Sequence, residues 1–209
     1  MENHGIAVDR AALKNYSETL GQELAQLERE VLQLAGVEFN LASPRQLGEV
    51  LFERLQIGKG KIKKTKTGQY ATGEEILEDL RNTHPIVNKL LEWRQVGKLK
   101  STYVDALPQL INPKTQRIHT TFNQAVAATG RLSSTNPNLQ NIPIRTERGR
   151  KIRAMFVAGG PDRTLVSADY SQIELRIIAA LSGDPAMLDA FRSGVDIHAA
   201  TASKVFNVP

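Results

Sequence analysis

The segment LVSADYSQIELR (165–176) is the part of the sequence whose residue types most directly suggest chemistry. The run RTLVSADY (163–170) predicts a buried strand that ends at the carboxylate of Asp169, after which the chain turns into a helix at Ser171. A carboxylate at a strand end beside a helix N-terminus is held rigidly, and Mg²⁺ prefers such an oxygen ligand together with substrate phosphates. An aspartate that only caps the next helix fits the same position, and the spacing alone favours that simpler interpretation.

Glu174 also has two interpretations. Ser171 and Glu174 have the spacing of a capping box, in which the glutamate side chain bonds back to the N-cap amide. A glutamate that contacts a substrate is the alternative, and the residues themselves do not decide between the two.

The loop TGRLSSTNPNLQN (129–141) is rich in short, mostly uncharged hydrogen-bonding side chains that follow Arg131. Such groups can bond to the purine N3 and pyrimidine O2 acceptors of the DNA minor groove, which recognises a duplex of any sequence. A polar loop that forms local Asx and Ser/Thr turns accounts for the composition equally well.

Positive charge is concentrated in two places, although the net charge is only +5. Clustered cations attract polyanions such as a phosphate backbone. Two solvated basic loops are the alternative that charge alone favours. The clusters are Lys59, Lys61, Lys63, Lys64 and Lys66, and Arg145, Arg148, Arg150, Lys151 and Arg153.

Helices predominate in the first hundred residues, where apolar residues recur at helical intervals. An antiparallel bundle or a coiled coil would bury such stripes. The predicted helices run from a cap at Asp9 to Gly36, from Ser43-Pro44, from a Thr72/Glu75 capping box, and from Pro85 toward Leu107.

β-structure and short helices are expected after residue 107. The turn Asn112-Pro113 predicts a hairpin, and IRAMFV (152–157) predicts a strand before that of 163–170. Helices are expected from Ser171 to Gly183 and after Asp184 and Asp196.

Composition excludes several classes of protein. The 209 residues contain no cysteine, so disulfide frameworks, thiol nucleophiles and cysteine-ligated metals are excluded. No apolar run approaches the length of a membrane span, and the first residues lack a signal peptide's apolar stretch. A soluble, cytoplasmic protein of one or two domains is expected.

The two long motifs, ATGRLSSTNPNLQNIPIR and LVSADYSQIELR, resemble those of family A DNA polymerases, the bacterial DNA polymerase I type. MENHGIAVD, FNLASPRQL, GKLKSTYVDALP and DIHAATASKVFNV extend the resemblance, in one order, over essentially the whole chain. It implies an α+β fragment of a right-hand polymerase, with a helical thumb (1–108), part of an antiparallel palm sheet (109–170) and the first fingers helices (171–209).

The resemblance also implies roles for the residues around Asp169. Asp169 would bind two Mg²⁺ ions, with the Tyr170 carbonyl completing one coordination sphere. Glu174 would exclude ribonucleotides at the sugar 2′ position and is counted with Asp169 as catalytic. The residues expected to contact the incoming dNTP are Tyr170, Ser171, Gln172, Glu174 and His198.

A second group of residues is expected to contact primer–template DNA. Arg131 would lie in the minor groove near the primer terminus, and the lysine-rich loop would be the thumb tip. Template or primer contacts are implied for Asn138, Gln140, Asn141 and Arg145, and duplex phosphate contacts for Lys98, Lys100, Ser101 and Thr102.

Two parts that the family requires do not occur in these 209 residues. There is no His-Asp-Glu tripeptide, which supplies the second catalytic carboxylate in the family, and no triphosphate-binding fingers helix. The sequence is therefore expected to be an N-terminal piece of a polymerase domain, inactive alone, with apolar edges of an incomplete palm sheet exposed. The complete enzyme is expected to be monomeric and independent of membranes.

Three functions other than a DNA polymerase are the alternatives. A non-catalytic duplex-DNA-binding module is the main alternative. A helical scaffold gives no reason for the two motifs, and Glu174 resembles the deoxynucleotide-selective side of the superfamily rather than a single-subunit RNA polymerase.

Overall fold

The structure, a computed structural model, describes residues 1–58, 62, 64–66 and 68–207. Three residues of the predicted basic thumb tip, Lys59, Lys61 and Lys63, lie outside this range. The chain divides into two compact units, Met1–Thr164 and Leu165–Pro209. These units are defined by packing within the chain, whereas the predicted thumb, palm and fingers are polymerase subdomains. The predicted subdomain boundaries at 108/109 and 170/171 therefore stay a prediction.

The first helix follows its sequence signals closely. Helix α1 (Arg10–Ala35) begins after Asp9, whose Oδ1 accepts a hydrogen bond from the Ala12 amide at 2.9 Å, and ends at Gly36 with φ 64°. A left-handed C-cap is a conformation that glycine adopts without a Cβ penalty. The cap prediction at both ends is confirmed.

Further helices, two of them extended by π-helical turns, follow α1 in the first unit. Helix α2 (Pro44–Gly48) is capped by Ser43 and continues as a π-helical turn over Glu49–Arg54. Helix α3 is short (Glu74–Asp79). Helix α4 (Pro85–Leu99) continues as a π-helical turn over Lys100–Val104, which is followed by α5 (Ala106–Gln109).

The capping box predicted at Thr72 and Glu75 is wrong. Helix α3 begins one residue later, with Gly73 as its N-cap and no side-chain cap. Thr72 is instead buried, and its carbonyl accepts a hydrogen bond from Arg94 of α4. Tertiary packing therefore fixes the start of this helix.

Two apolar clusters form the core of the first unit, and Trp93 packs against both. One cluster joins the C-terminal part of α1 to the start of α4. The other joins the N-terminal part of α1 to the end of α4 and to residues from 104–156. The largest fully buried side chains include Leu13, Leu20, Leu47, Leu51, Leu77, Ile86, Leu90, Leu107, Ile118 and Ile152.

Small antiparallel sheets complete the first unit, so the α+β class is confirmed. Strand β1 (Ala7–Val8) pairs with β4 (Phe156–Val157), and β2 (Thr121–Asn123) pairs with β3 (Ser133–Thr135). The hairpin predicted at Asn112-Pro113 forms, with Ile111 opposite Ile118.

Both predicted strands near the end of this unit need correction. The first half of 152–157 lies in helix α6 (Glu147–Ala154), which Thr146 caps, and only Phe156–Val157 is strand. The segment 163–170 is exposed and is not a strand, because no described segment pairs with it. Leu165 and Val166 are 55% and 85% exposed, as expected for apolar residues without a covering sheet.

Three helices make up the second unit: α7 (Ile173–Ser182), α8 (Pro185–Arg192) and α9 (Ile197–Phe206). Gly183 ends α7, and Asp184 caps α8, as predicted. The capping box at Ser171 and Glu174 is wrong, because α7 begins after Gln172, which has φ 54° and gives no side-chain cap. No helix within the described residues is long and apolar enough to cross a membrane.

Candidate functional site

An open cleft of about 1330 Å³ lies within the first unit, between α4 with its π-helical extension and the segment 137–148. Six residues that the sequence analysis assigned to DNA binding line it, although they come from distant parts of the chain. They are Lys98, Thr102, Asn138, Gln140, Asn141 and Arg145. Folding thus brings the predicted phosphate-binding helix and the polar loop to one concave surface.

The loop is attached to the helical wall by Tyr103. Its hydroxyl donates a hydrogen bond to the Asn141 carbonyl at 2.5 Å. Burial raises the pKa of Tyr103, so the phenol keeps the proton that this bond requires at neutral pH. Tyr103 lies within the motif GKLKSTYVDALP, but nothing in the sequence indicates that its hydroxyl contacts residue 141.

Part of the polar loop 129–141 forms local turns, which was the alternative to DNA binding for these residues. Ser134 is buried, its Oγ lies 2.6 Å from Thr120 Oγ1, and it accepts a hydrogen bond from the Leu139 amide at 3.1 Å. Asn138 Oδ1 accepts the Gln140 amide at 3.0 Å, which is an Asx turn. The polar residues up to 138 therefore help to shape the loop, whereas the exposed Gln140, Asn141 and Arg145 remain available to a ligand.

The structure separates Lys100 from Lys98. Lys98 is exposed in the cleft, but the Lys100 ammonium pairs with Asp105 at 2.7 Å and donates to Ser17 at 2.9 Å. Partial burial acts to raise the pKa of Asp105, but hydrogen bonds from Lys100 and Ser17 outweigh it and lower the pKa. Lys100 is therefore engaged within the chain, which argues against its predicted phosphate contact.

Two other predicted DNA-binding residues do not line the cleft. Ser101 is exposed and its Oγ donates to the Lys98 carbonyl at 3.5 Å. Arg131 is exposed just before β3. In the basic segment, Lys64 lies over the Tyr70 ring, 4.7 Å from its centroid.

In the second unit, two predicted nucleotide-binding residues come together at helix starts. Gln172 precedes α7, and its Nε2 donates to Asp196 Oδ1 at 3.3 Å. The same oxygen accepts the amide of His198, in the first turn of α9, at 2.7 Å. That backbone bond is the main cause of the lowered pKa of Asp196. His198 also lines an apolar cavity of about 550 Å³ between the three helices.

The turn after Tyr170 is fixed by Arg176, which sequence reasoning did not single out. Its Nε donates to the Ser171 carbonyl at 2.9 Å, and its guanidinium lies 4.6 Å from the Phe191 ring centroid. Asp169 and Tyr170 just before this turn are exposed, as is Glu174 in the first turn of α7.

The described residues do not form a complete metal site. No group of three or more His, Asp or Glu side chains converges within them. Asp169 is an exposed carboxylate, and no such group of three includes it among the described residues. The donor set present fits one ligand of a Mg²⁺ site and not the whole site.

Comparison with known proteins extends over the whole chain. The model of DNA polymerase family A matches residues 10–209. The chain is 53% identical to the thermostable DNA polymerase I of Thermus aquaticus and 52% identical to DNA polymerase I of Rhizobium leguminosarum, in each case over 210 aligned residues and all of this chain. It spans 25% and 20% of the length of those relatives.

A solved structure has the same fold. The polymerase domain of Pol1 from M. smegmatis, in complex with DNA primer-template and dNTP, superposes with a TM-score of 0.83 and 46% identity. The match covers 98% of this chain and 36% of that one. With a family model matching nearly every residue, the chain belongs to the family A DNA polymerases.

Proposed function

We propose that this chain is part of a DNA-templated DNA polymerase that joins a dNTP to a primer 3′-hydroxyl with release of pyrophosphate. The observation that carries the proposal is the cleft of the first unit, in which six predicted DNA-binding residues meet. The similar M. smegmatis domain was solved with primer-template DNA and dNTP, which supports the same ligands here.

The cleft suits a duplex of any sequence. Lys98 and Arg145 supply positive charge for backbone phosphates. The side chains of Gln140 and Asn141 supply neutral donors for groove acceptors that all base pairs share. Their chemistry therefore favours positioning a duplex over reading its sequence.

The second unit supplies the proposed nucleotide side of the reaction. Asp169 would hold a metal ion together with the Tyr170 carbonyl, and Glu174 would select deoxyribose. Gln172 and His198 are proposed to contact the triphosphate, and their helix starts are joined through Asp196. Ser171 belongs to the same proposed group, and Arg176 holds its carbonyl.

Two Mg²⁺ ions are the proposed cofactor, and they would neutralise phosphate charge when bound. Asp169 is one carboxylate, and the described residues supply no cluster around it. The 209 residues alone are proposed not to extend primers, because a two-metal site needs carboxylates from more than one place.

A non-catalytic duplex-DNA-binding module is the second candidate. It is favoured by the cleft of the first unit, whose lining includes six residues predicted to bind DNA. For the first candidate, we also propose that the complete polymerase is cytoplasmic and monomeric and that it acts in DNA replication or repair.

The cleft is tested by fluorescence anisotropy with a labelled primer–template duplex. The variant Lys98→Ala/Arg145→Ala should weaken binding, and the slope of log K against log salt should fall by about 1.8, since each phosphate contact contributes about 0.9. Lys14→Ala, at an exposed lysine of α1 away from the cleft, is the control and should change neither. If the wild type, the double variant and the control bind DNA with equal affinity, the cleft is not the DNA-binding surface.

Primer extension by the same preparation separates the two candidates. With Mg²⁺ and all four dNTPs, the 209-residue chain should bind the duplex and add no nucleotide. A joined polypeptide that supplies the missing carboxylate motif should add nucleotides and lose this ability on Asp169→Asn. Retained extension in Asp169→Asn would contradict the proposed role of Asp169.

A further inference from the structure

Arg148, the second residue of α6, bonds to glutamates on two other helices. Its Nε and Nη2 both donate to Glu23 of α1, with Nε 3.3 Å from Oε2, and Nη2 also donates to Glu92 of α4 at 2.8 Å. The three side chains are only 28%, 31% and 38% exposed. Two parallel bonds to one carboxylate fix the direction of the guanidinium as well as its position.

Helix α6 is in turn packed directly on the cleft loop. A Cβ on Gly149 would lie 2.5 Å from Pro143 Cβ and 3.0 Å from the Pro143 carbonyl carbon and oxygen, so the two backbones touch without room for a methyl group. Thr146 Oγ1 accepts the Gly149 amide at 3.1 Å. Pro143 and Thr146 lie on either side of Arg145, so α6 contacts the chain both before and after Arg145.

The charge balance of the triad argues against direct DNA contact by Arg148. One guanidinium faces two carboxylates, so the triad carries a net charge of −1 and gives no attraction for a phosphate. The hydrogen bonds that Arg148 donates to Glu23 are the main cause that raises the pKa of Arg148, and burial opposes them, so the arginine remains charged and paired.

We propose that Arg148 is a positioning residue for DNA binding. Through Glu23 and Glu92 it holds α6 against α1 and α4, and thereby holds Asn141 and Arg145 at the correct distance from Lys98 across the cleft. The inference rests on the proposed function of the cleft. It assigns a binding role to two acidic residues whose charge alone would repel DNA.

The sign of the effect of Glu23→Gln/Glu92→Gln tests the inference. Removing two negative charges beside the cleft should tighten DNA binding if only electrostatics mattered. If the triad positions the loop, the same change should weaken binding about threefold to tenfold, the loss of roughly one well-aligned hydrogen bond. Glu30→Gln is the matched control, because Glu30 also joins α1 to α4, pairing with Lys89 at 2.6 Å, but does not line the cleft.

Affinity for a labelled primer–template duplex is measured by anisotropy at about 0.05 and 0.15 M salt. Tighter or unchanged binding by Glu23→Gln/Glu92→Gln would overturn the inference, as would equal weakening by Glu30→Gln. Arg148→Lys should also weaken binding, since it keeps the charge but loses the two parallel bonds. If the double variant does not fold, Glu92→Gln and Arg148→Lys are compared with Glu30→Gln.

Hydrogen exchange of 138–146 in the absence of DNA separates this inference from the proposed function. Exchange should be faster in the Glu23→Gln/Glu92→Gln variant than in Glu30→Gln, and equal exchange would overturn the positioning role. If the wild-type chain did not bind DNA, the proposed function would fail, and the exchange measurement would still decide whether the triad orders the loop.

Discussion

Replacing Gly149 with alanine tests how closely α6 packs on the cleft loop. In the interior of a helix, alanine is favoured over glycine by about 1 kcal/mol. At Gly149 the added Cβ would lie 2.5 Å from Pro143 Cβ and 3.0 Å from two Pro143 backbone atoms. Backbone atoms cannot rotate away as a flexible side chain can, and overpacking of this kind costs about 1–3 kcal/mol. We expect Gly149→Ala to lower the free energy of unfolding by up to about 2 kcal/mol after its propensity gain.

Gly97→Ala is the matched control for this substitution. Gly97 also lies in a helix, α4, but its added Cβ would meet only Leu24 Cδ2, at 3.8 Å, an ordinary van der Waals contact. Because only the propensity gain applies, Gly97→Ala should raise the free energy of unfolding by up to about 1 kcal/mol. The two Gly→Ala changes therefore have opposite expected signs.

Urea unfolding followed by the fluorescence of Trp93 measures both variants. Trp93 is the single tryptophan, and it packs against both apolar clusters of the first unit, so its emission reports on that unit. The midpoint should fall for Gly149→Ala and rise for Gly97→Ala at an unchanged slope. A Gly149→Ala protein that is more stable than the wild type, as Gly97→Ala should be, would refute the packing argument, and with it the link between α6 and the loop.

Three further predictions follow from single contacts. Tyr103→Phe removes the bond to the Asn141 carbonyl, and should cost about 0.5–1.5 kcal/mol of stability and weaken duplex binding, as read by unfolding and anisotropy. Lys100→Met should destabilise the chain in urea but leave the salt slope of DNA binding unchanged, because the Lys100 ammonium is paired with Asp105. A reduced slope would indicate that Lys100 does contact DNA phosphates. The pKa of Asp105 lies below its ordinary 3.8 in the folded chain. Its contribution to stability is therefore present above pH 3.8 and lost as the pH falls through the lower folded value, so Asp105→Asn should flatten the acid side of the stability profile.

The sequence predicted local structure well wherever the responsible contacts are themselves local. Asp9 and Ser43 cap their helices, and Gly36 and Gly183 end theirs. Each of these signals depends on hydrogen bonds or backbone conformation within a few residues. The motifs and their order were equally informative, because the resemblance to family A DNA polymerases depends on the sequence alone.

Pairing with distant residues decided the features that were predicted wrongly. The apolar run 163–170 has strand composition but remains unpaired within the described chain, since a strand exists only when a neighbour bonds to it. Ile152 is β-branched, which favours a strand, but it lies in α6. Its side chain is fully buried there, so a helix also places it in the apolar core. Thr72 could cap a helix, but it is buried, its carbonyl accepts a hydrogen bond from Arg94, and α3 begins after Gly73.

The candidate site divides in the same way. Residue types and motif order determined which side chains were candidates, including Lys98 and Arg145. Only the tertiary structure decided that these two line one cleft, that Lys100 pairs with Asp105, and that Arg148 joins α6 to α1 and α4. A sequence specifies which groups can form charged and polar contacts, but the partner of each group depends on how distant helices pack.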